Sequence, residues 1–504
     1  MAEGRPVWIG KDEHHGVVAE PRPDVLPPPH WRHEAVAATP MPRSLTIGDD
    51  RRRAVLIEDG GDTSDVYLLD LDAGTPPERL TTGREPMPFW EDTWAYLSPD
   101  GSTVAYGDEG HVWLVPSAGG PPRKLLEASS PRWAGDGRLV VGIERDGGRT
   151  TRLAVVDTAD PWPRRLAKHH GELEAFGDEG EAVVSPDGTE VAYTFTPRAD
   201  LNRSEIRVAS IETGEVRALT GTPRMHDREP AWSPDGSTIV YASERSGWYE
   251  LHLVGRDGSG ERRLTSAEAD HGDHEWHPDG GRILAVSGSR NRFHLVVVDA
   301  DDGSAERLAD GGIWCTPHWT AAGDVVAGYE DHATPRELRR LSAGAEPETI
   351  HAPAPRAVKA APHVRPEEIV YSSFDGLEIH AFLMRPSRAS AERPAPAFVY
   401  PHGGPTSYYG DEWDGHAQYF VDQGFAWLAI NFRGSTSYGR EFERLNHGDW
   451  GVGDTRDCLA AADFLRTLDW VDGDRLAIVG SSYGSYLALL AAADDAEHRF
   501  RCAV

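Results

Sequence analysis

The chain has 504 residues, and 51 basic against 82 acidic side chains leave a formal net charge of −31. That length exceeds one ordinary hydrophobic core, so two or more domains are expected. The acidic balance argues against nucleic acid and anionic membrane surfaces as partners. Cys315, Cys458 and Cys502 are far apart and odd in number, which gives neither a disulfide framework nor a zinc spacing and fits a reducing, cytoplasmic setting with no cofactor. No run approaches the ~18 apolar residues of a membrane span, and Met1–Gly10 has no apolar signal-peptide core.

Residues 1–40 are rich in Pro, His and charge, as in Pro21-Arg22-Pro23 and Pro27-Pro28-Pro29. They read as an extended leader that packs along other elements. From 41 to 350 a unit recurs. Leu97-Ser98-Pro99-Asp100-Gly101, Trp133-Ala134-Gly135-Asp136-Gly137, Val184-Ser185-Pro186-Asp187-Gly188, Trp232-Ser233-Pro234-Asp235-Gly236 and Trp276-His277-Pro278-Asp279-Gly280 each precede an apolar strand, with a decayed copy at Trp319–Gly323. Proline presets the first turn dihedral and glycine takes the positive φ. The period suits propeller blades, which bury their faces only as a ring. With one degraded copy at 45–71, seven blades are expected.

Two polar clusters interrupt this pattern. His271, Asp273, His274, Glu275 and His277 are expected in a solvated inter-strand loop with no metal bound, because no helix sets them on one face. The run Asp299-Ala300-Asp301-Asp302 is expected at a solvated hairpin tip.

Residues 351–366 are Ala/Pro-rich and read as a linker. From 367 to 504 strands alternate with helices: a hairpin around Asp375-Gly376, strands at 397–400 and 426–430, and a helix from about 455 to 468. This is the opening portion of an α/β-hydrolase sheet. The fold expected for the whole chain is therefore an all-β seven-bladed propeller followed by an incomplete α/β-hydrolase domain.

The chemistry gathers at the strand Leu476–Val479, the turn Gly480-Ser481-Ser482-Tyr483-Gly484 and the Ala/Leu helix behind it. A Gly-x-Ser-x-Gly turn between strand and helix is a nucleophile elbow, with the Ser482 hydroxyl held clear of the sheet. An acyl-transfer site also needs backbone donors for an oxyanion. The strand ending at Tyr400 runs into Pro401-His402-Gly403-Gly404-Pro405. The expected donors are the N–H groups of Tyr483 and Gly404, with Gly403 as the alternative. His402 lies in that loop and is not expected to be the catalytic base.

His402-Gly403-Gly404-Pro405, Arg433-Gly434-Ser435 through Tyr438-Gly439, Asp449-Trp450-Gly451 and the Ser482 elbow occur in an order and spacing that resembles the prolyl oligopeptidase family of serine peptidases, nearest its acylaminoacyl-peptidase and dipeptidyl-aminopeptidase-like branch. The resemblance implies a propeller that caps the site and filters short peptides by size, cleaved through an acyl-enzyme on Ser482. Asp454 and Asp457 match positions usually acidic in the family and read as helix N-terminal charges. Ser485 stands where the family usually has a second glycine. The family's order is Ser, Asp, His, with the later two well past the elbow, so the triad Asp and His are expected to be missing from this chain, which as given is expected to be inactive. Asp494, Asp495 and His498 are expected to be surface groups, and the elbow strand to lie at a sheet edge. An esterase on the same scaffold and a non-catalytic propeller binding module with a hydrolase remnant are the competing readings.

Overall fold

The protein is described by a computed structural model covering residues 30–504 apart from 38, 61–62, 84–93, 136, 146–149 and 169–176. The proline-rich part of the expected leader, and Asp136 of the second turn, lie outside the described residues. The described end of the leader carries a short helix, His33–Ala37. The Trp31 indole before it is buried, donates to the Pro362 carbonyl at 3.1 Å and clusters with Val358 and Trp413. The chain is thus fastened to the second domain before it enters the first.

The described residues from Met41 to His351 form five four-stranded antiparallel sheets and one eight-stranded sheet. The larger sheet divides into two four-stranded halves at a single parallel pairing, Phe293 with Ile313. This layout is compatible with seven blades. Strand Met41–Ile47 of the first sheet packs on the last, with Leu45 and Leu56 against Val326 and Leu338 in one buried cluster.

The turn chemistry is explicit. Gly101, Gly137, Gly188, Gly236, Gly280 and Gly323 all have φ between 68° and 84°, a region costly for any residue with a Cβ. In three turns the serine hydroxyl donates to the aspartate at 2.6 Å, from Ser98 to Asp100, Ser185 to Asp187 and Ser233 to Asp235. Each of these hydroxyls also accepts a strand N–H at 3.0 Å.

Seven residues before five of these glycines the innermost strands carry Ser130, Glu181, Glu229, Asp273 and Thr316, all at φ between 46° and 55°. Each sits where the strand register shifts, so these are β-bulges. The bulges are chained around the ring. Glu181 accepts the Glu229 N–H at 2.7 Å, Glu229 accepts the Asp273 N–H at 3.0 Å, and Asp273 accepts the Thr316 N–H at 2.9 Å. Indole N–H groups tie the other way: Trp133 donates to Tyr96 O, Trp232 to Val183 O and Trp276 to Ala231 O.

The histidine-rich cluster is a correction. Asp270–Trp276 is the innermost strand of its sheet, where a loop was expected. His271 is buried, Glu275 is bonded to Arg51 and to His318 (2.6 Å), and Asp273 carries the bulge link. The polar composition reflects a strand whose partners are charged and polar side chains and backbone groups of neighbouring blades. The run at 299–302 is a hairpin tip as expected, with Asp299 accepting the N–H of Asp301 at 2.9 Å.

After the linker, which contains a short helix Arg356–Ala360, six strands form one sheet. In spatial order they are Glu367–Ser372, Glu378–Met384, Ala426–Asn431, Ala395–Pro401, Val471–Ile478 and Phe500–Ala503. Among the first three each strand is antiparallel to its neighbour, and the last four run parallel. Every residue of Ala426–Asn431 is buried, as a strand covered on both faces requires. Helices Gly453–Arg466 and Tyr483–Asp494 cover one face through Ala461, Leu465, Leu487 and Ala488, and Gly415–Asp422 covers the other through Ala417 and Val421. The elbow strand is not the edge: Leu476 and Ile478 pair with Phe500 and Ala503.

Candidate active site

The elbow is built by close backbone approach. A Cβ on Gly480 would overlap the Gly484 backbone, and one on Gly484 would overlap the Pro401 carbonyl. Only glycine at both positions lets strand, turn and helix meet so tightly. Ser482 sits between them at φ 53°, ψ −120°, as the residue capping helix Tyr483–Asp494, and it is exposed. This is a backbone conformation that a non-glycine residue adopts at a cost of about 1–3 kcal/mol. The elbow helix begins at Tyr483, and behind it Gly484 N donates to Ser481 O at 2.8 Å while Ser485 N and Tyr486 N donate to Ser482 O at 3.0 and 3.3 Å, so these three amides are engaged within the turn. Ser485 fills the position of the expected glycine without disturbing this packing, because its hydroxyl donates to the Gly480 carbonyl at 2.8 Å.

Strand Ala395–Pro401 runs parallel to the elbow strand and delivers the second loop. A Cβ on Gly403 would stand 3.4 Å from the Ser482 Cβ, so this loop lies directly against Ser482. Gly404 follows at φ 133° and is exposed. His402 is buried and stacked on Phe432 with ring centroids 4.4 Å apart. Its Nδ1 lies 2.6 Å from the Gly403 carbonyl and its Nε2 2.8 Å from the Ser435 hydroxyl. Burial holds it down to about 4, so the ring is neutral near pH 7, with Nδ1–H donating to Gly403. Both nitrogens are engaged away from Ser482, as expected for a structural residue. Since C=O and N–H of one peptide point in opposite directions, this bond also fixes the direction of the Gly404 N–H.

Beneath the elbow lie two acids that the sequence reading places only as helix-end charges. Asp457 is fully buried and accepts from Arg433 through the backbone N and Nε at 2.9 Å, from its terminal nitrogen at 2.8 Å, and from the Ser373 hydroxyl at 2.5 Å. Arg433 also reaches Asp375 at 3.0 and 3.1 Å. Burial keeps the Asp457 carboxyl above its ordinary range even so. Asp454, likewise buried, accepts the Tyr483 phenol at 2.6 Å, fixing the first residue of the elbow helix. Their signal in the sequence is the i, i+3 spacing at one helix start, but that spacing names no partner.

The remaining candidates past the elbow lie away from it. His498 is exposed, and Asp494 ends the helix exposed. Asp495 departs from the surface role expected of it: it is buried and accepts the Phe500 N–H at 2.8 Å, so it starts the last strand. No helix among the described residues is long and apolar enough to cross a membrane.

A strained serine on a strand–turn–helix, a glycine loop against it and a propeller joined by a linker define an α/β-hydrolase with a propeller domain. Residues 409–504 match the model of the prolyl oligopeptidase family, and residues 181–373 that of the TolB beta propeller domain. The chain carries a prolyl oligopeptidase family (S9) peptidase domain joined to a TolB-like propeller. It is 24% identical over 519 residues to a Bacillus subtilis protein described as an uncharacterized peptidase, YuxL, covering 84% of this chain and 73% of that one. It is 28% identical over 434 residues to dipeptidyl aminopeptidase BIII of Pseudoxanthomonas mexicana, covering 80% of this chain and 60% of that one. The match spans about half of several further curated relatives, 46% of dipeptidyl-peptidase 5 of Porphyromonas gingivalis for one. Among solved structures, a Mycobacterium tuberculosis puromycin-hydrolyzing peptidase superposes with a TM-score of 0.79 at 21% identity, covering 94% of this chain and 78% of that one. Pyrococcus horikoshii acylaminoacyl peptidase gives 0.69 at 17%, with the same coverage.

Proposed function

We propose that this chain is the propeller and nucleophile-bearing part of a cytoplasmic serine peptidase that hydrolyses short peptides through an acyl-enzyme on Ser482. The observation that carries the reading is the strained, exposed Ser482 with the Gly403-Gly404 loop against it. In this scheme the Ser482 oxygen attacks the peptide carbonyl, and the oxyanion is held by the N–H groups of Tyr483 and Gly404. Gly404 is favoured over Gly403 because His402 fixes the intervening peptide. In this scheme the proton leaves to a histidine oriented by an aspartate. His402 is engaged elsewhere, and loss of such a base costs on the order of 10⁶ in turnover. Names of relatives that contain dipeptidyl or acylaminoacyl peptidase support peptides as the substrate class. The free cysteines and acidic charge support the cytoplasmic setting.

The test compares this chain with one extended by its downstream coding sequence, using a fluorophosphonate probe and then peptide amides against p-nitrophenyl esters. Labelling of the extended protein, abolished by Ser482→Ala, with cleavage of short peptide amides, is the expected result. Ester turnover without amide cleavage would replace the peptidase with an esterase. An extended protein that neither labels nor cleaves would leave a binding module.

A further inference from the structure

The loop that leaves Gly404 is held at its far end by the propeller. Hairpin residue Asn291, between strands Arg282–Ser289 and Arg292–Asp299, is fully buried at φ 62°. Its side-chain Nδ2 donates to the Tyr409 carbonyl at 2.9 Å and to the Tyr438 hydroxyl at 2.9 Å. Its backbone N–H donates to the Ser437 hydroxyl at 2.9 Å, and its carbonyl accepts from Asp411 N at 3.2 Å. Gly410 permits this approach, because a Cβ there would come within 3.0 Å of the Asn291 carbonyl.

Two catalytic-domain loops therefore meet on one propeller residue. They are also joined to each other, since Thr436 N donates to Ser407 O at 2.8 Å. The Tyr409 carbonyl takes a second amide N–H from Asn431, at the end of the central strand, at 3.0 Å, and Tyr409 N donates back to Asn431 Oδ1 at 2.8 Å. The loop from His402 to Asp411 is thus pinned at its start by His402 and at its end by an asparagine from each domain. The Tyr409 carbonyl, which can only accept, fixes which way the Asn291 amide faces: turned over, the amide would set oxygen against oxygen there.

We propose that Asn291 is a positioning residue. By holding the Tyr409 carbonyl it sets the loop that carries Gly404, and so makes Ser482 reactivity depend on how the propeller is docked. The catalytic half of this statement rests on the peptidase reading above, whereas the structural half does not. A displacement of the order of 1 Å at an oxyanion donor costs up to about 100-fold in rate, which gives a remote hydrogen bond this leverage.

Two variants separate the effects. Asn291→Gly keeps the left-handed backbone and removes the amide. Asn291→Asp keeps the shape and replaces the donor with oxygen. Hydrogen–deuterium exchange of the whole chain is read at 405–411, at 436–438 and at the blade strand 282–289. Faster exchange at both loops in both variants, with 282–289 unchanged, is expected. Unchanged loops, or loops and strand loosened together, would overturn the proposal. In the extended protein, kcat for a peptide amide is expected to fall about 10-fold or more with KM nearly constant, and further for Asp than for Gly. Loosened loops with an unchanged kcat would overturn the coupling. An extended wild type that neither labels nor cleaves counts against the peptidase reading, and the exchange data still decide whether Asn291 holds the loops.

Discussion

Between neighbouring blades the propeller repeats small, separate links: a carboxylate on the next bulge at Glu181, Glu229 and Asp273, an indole on the preceding strand at Trp133, Trp232 and Trp276. The hydrolase domain instead concentrates its polar ties on Arg433, whose guanidinium and backbone join Asp457, Asp375 and the start of the helix under the elbow. A ring of near-equivalent units spreads its stability over interfaces. A single sheet bearing a reactive turn depends on one buried network, in which members support one another. Damage should therefore stay local in the first region and reach the site in the second.

The strongest way to break this contrast is Arg433→Met. It leaves Asp457 buried without its cation, and removing one partner of such a pair costs about 3–5 kcal/mol. The hydrolase transition in a denaturant titration should move to markedly lower concentration while the propeller transition holds. A shift no larger than that of a single blade variant would erase the distinction.

Acid should act on the same domain next. His402 is neutral and buried, with a folded value of about 4 against about 6.5 when unfolded. Above 6.5 neither state is protonated, so nothing changes. Between 6.5 and 4 the unfolded chain takes up a proton that the folded one refuses, and stability falls as pH drops, by about 3 kcal/mol in all. His402→Gln should flatten the pH 7 to 4.5 dependence of the hydrolase midpoint. An unaltered slope would move the titration to another group.

In the propeller, Glu229→Ala removes the acceptor of the Asp273 N–H. One lost hydrogen bond is worth about 1 kcal/mol, rising toward 3 if the amide is left without water. Accelerated exchange confined to the 227–232 and 270–276 strands would show that these links are local. Loss across all blades would show that they act as one.

The parts legible in sequence are those where the backbone demands a residue. Turn glycines at positive φ and the two glycines of the elbow announce themselves because no other side chain fits. Strand Asp270–Trp276 was obscured because His271-Gly272-Asp273 lacks the β-branched, alternating pattern of a half-buried strand, its partners being charged and polar side chains and backbone groups of other blades. Helix Gly415–Asp422 was also missed, although Asp414 caps it by accepting from Ala417 N at 2.9 Å. Asn291 and the Arg433–Asp457 pair were out of reach for another reason. Their meaning lies in contacts with residues remote in sequence, Tyr409, Tyr438 and Asp457, which only the folded chain brings together.

The smallest expected effect is that of Ser233→Ala, and the protein supplies its own precedent. Ser233 is buried, donates to the exposed Asp235 and accepts the Thr238 N–H, so the substitution removes two partly buried bonds at a turn whose aspartate stays in water, at about 1 kcal/mol. In the blade before Gly137 the same position is Ala134, yet its N–H still bonds Arg138 O at 2.9 Å and Gly137 keeps φ 72°. In another blade it is His277, whose Nδ1 accepts the Asp279 N–H at 3.2 Å. Glycine at the fourth position and the first strand pairing are common to all these turns, whereas the hydroxyl is not. The turn is therefore set by backbone conformation, with the serine as reinforcement. Gly236→Ala, which must place a Cβ at φ 69°, should cost more than Ser233→Ala in the same denaturant assay, and the reverse order would make the hydroxyl the determinant.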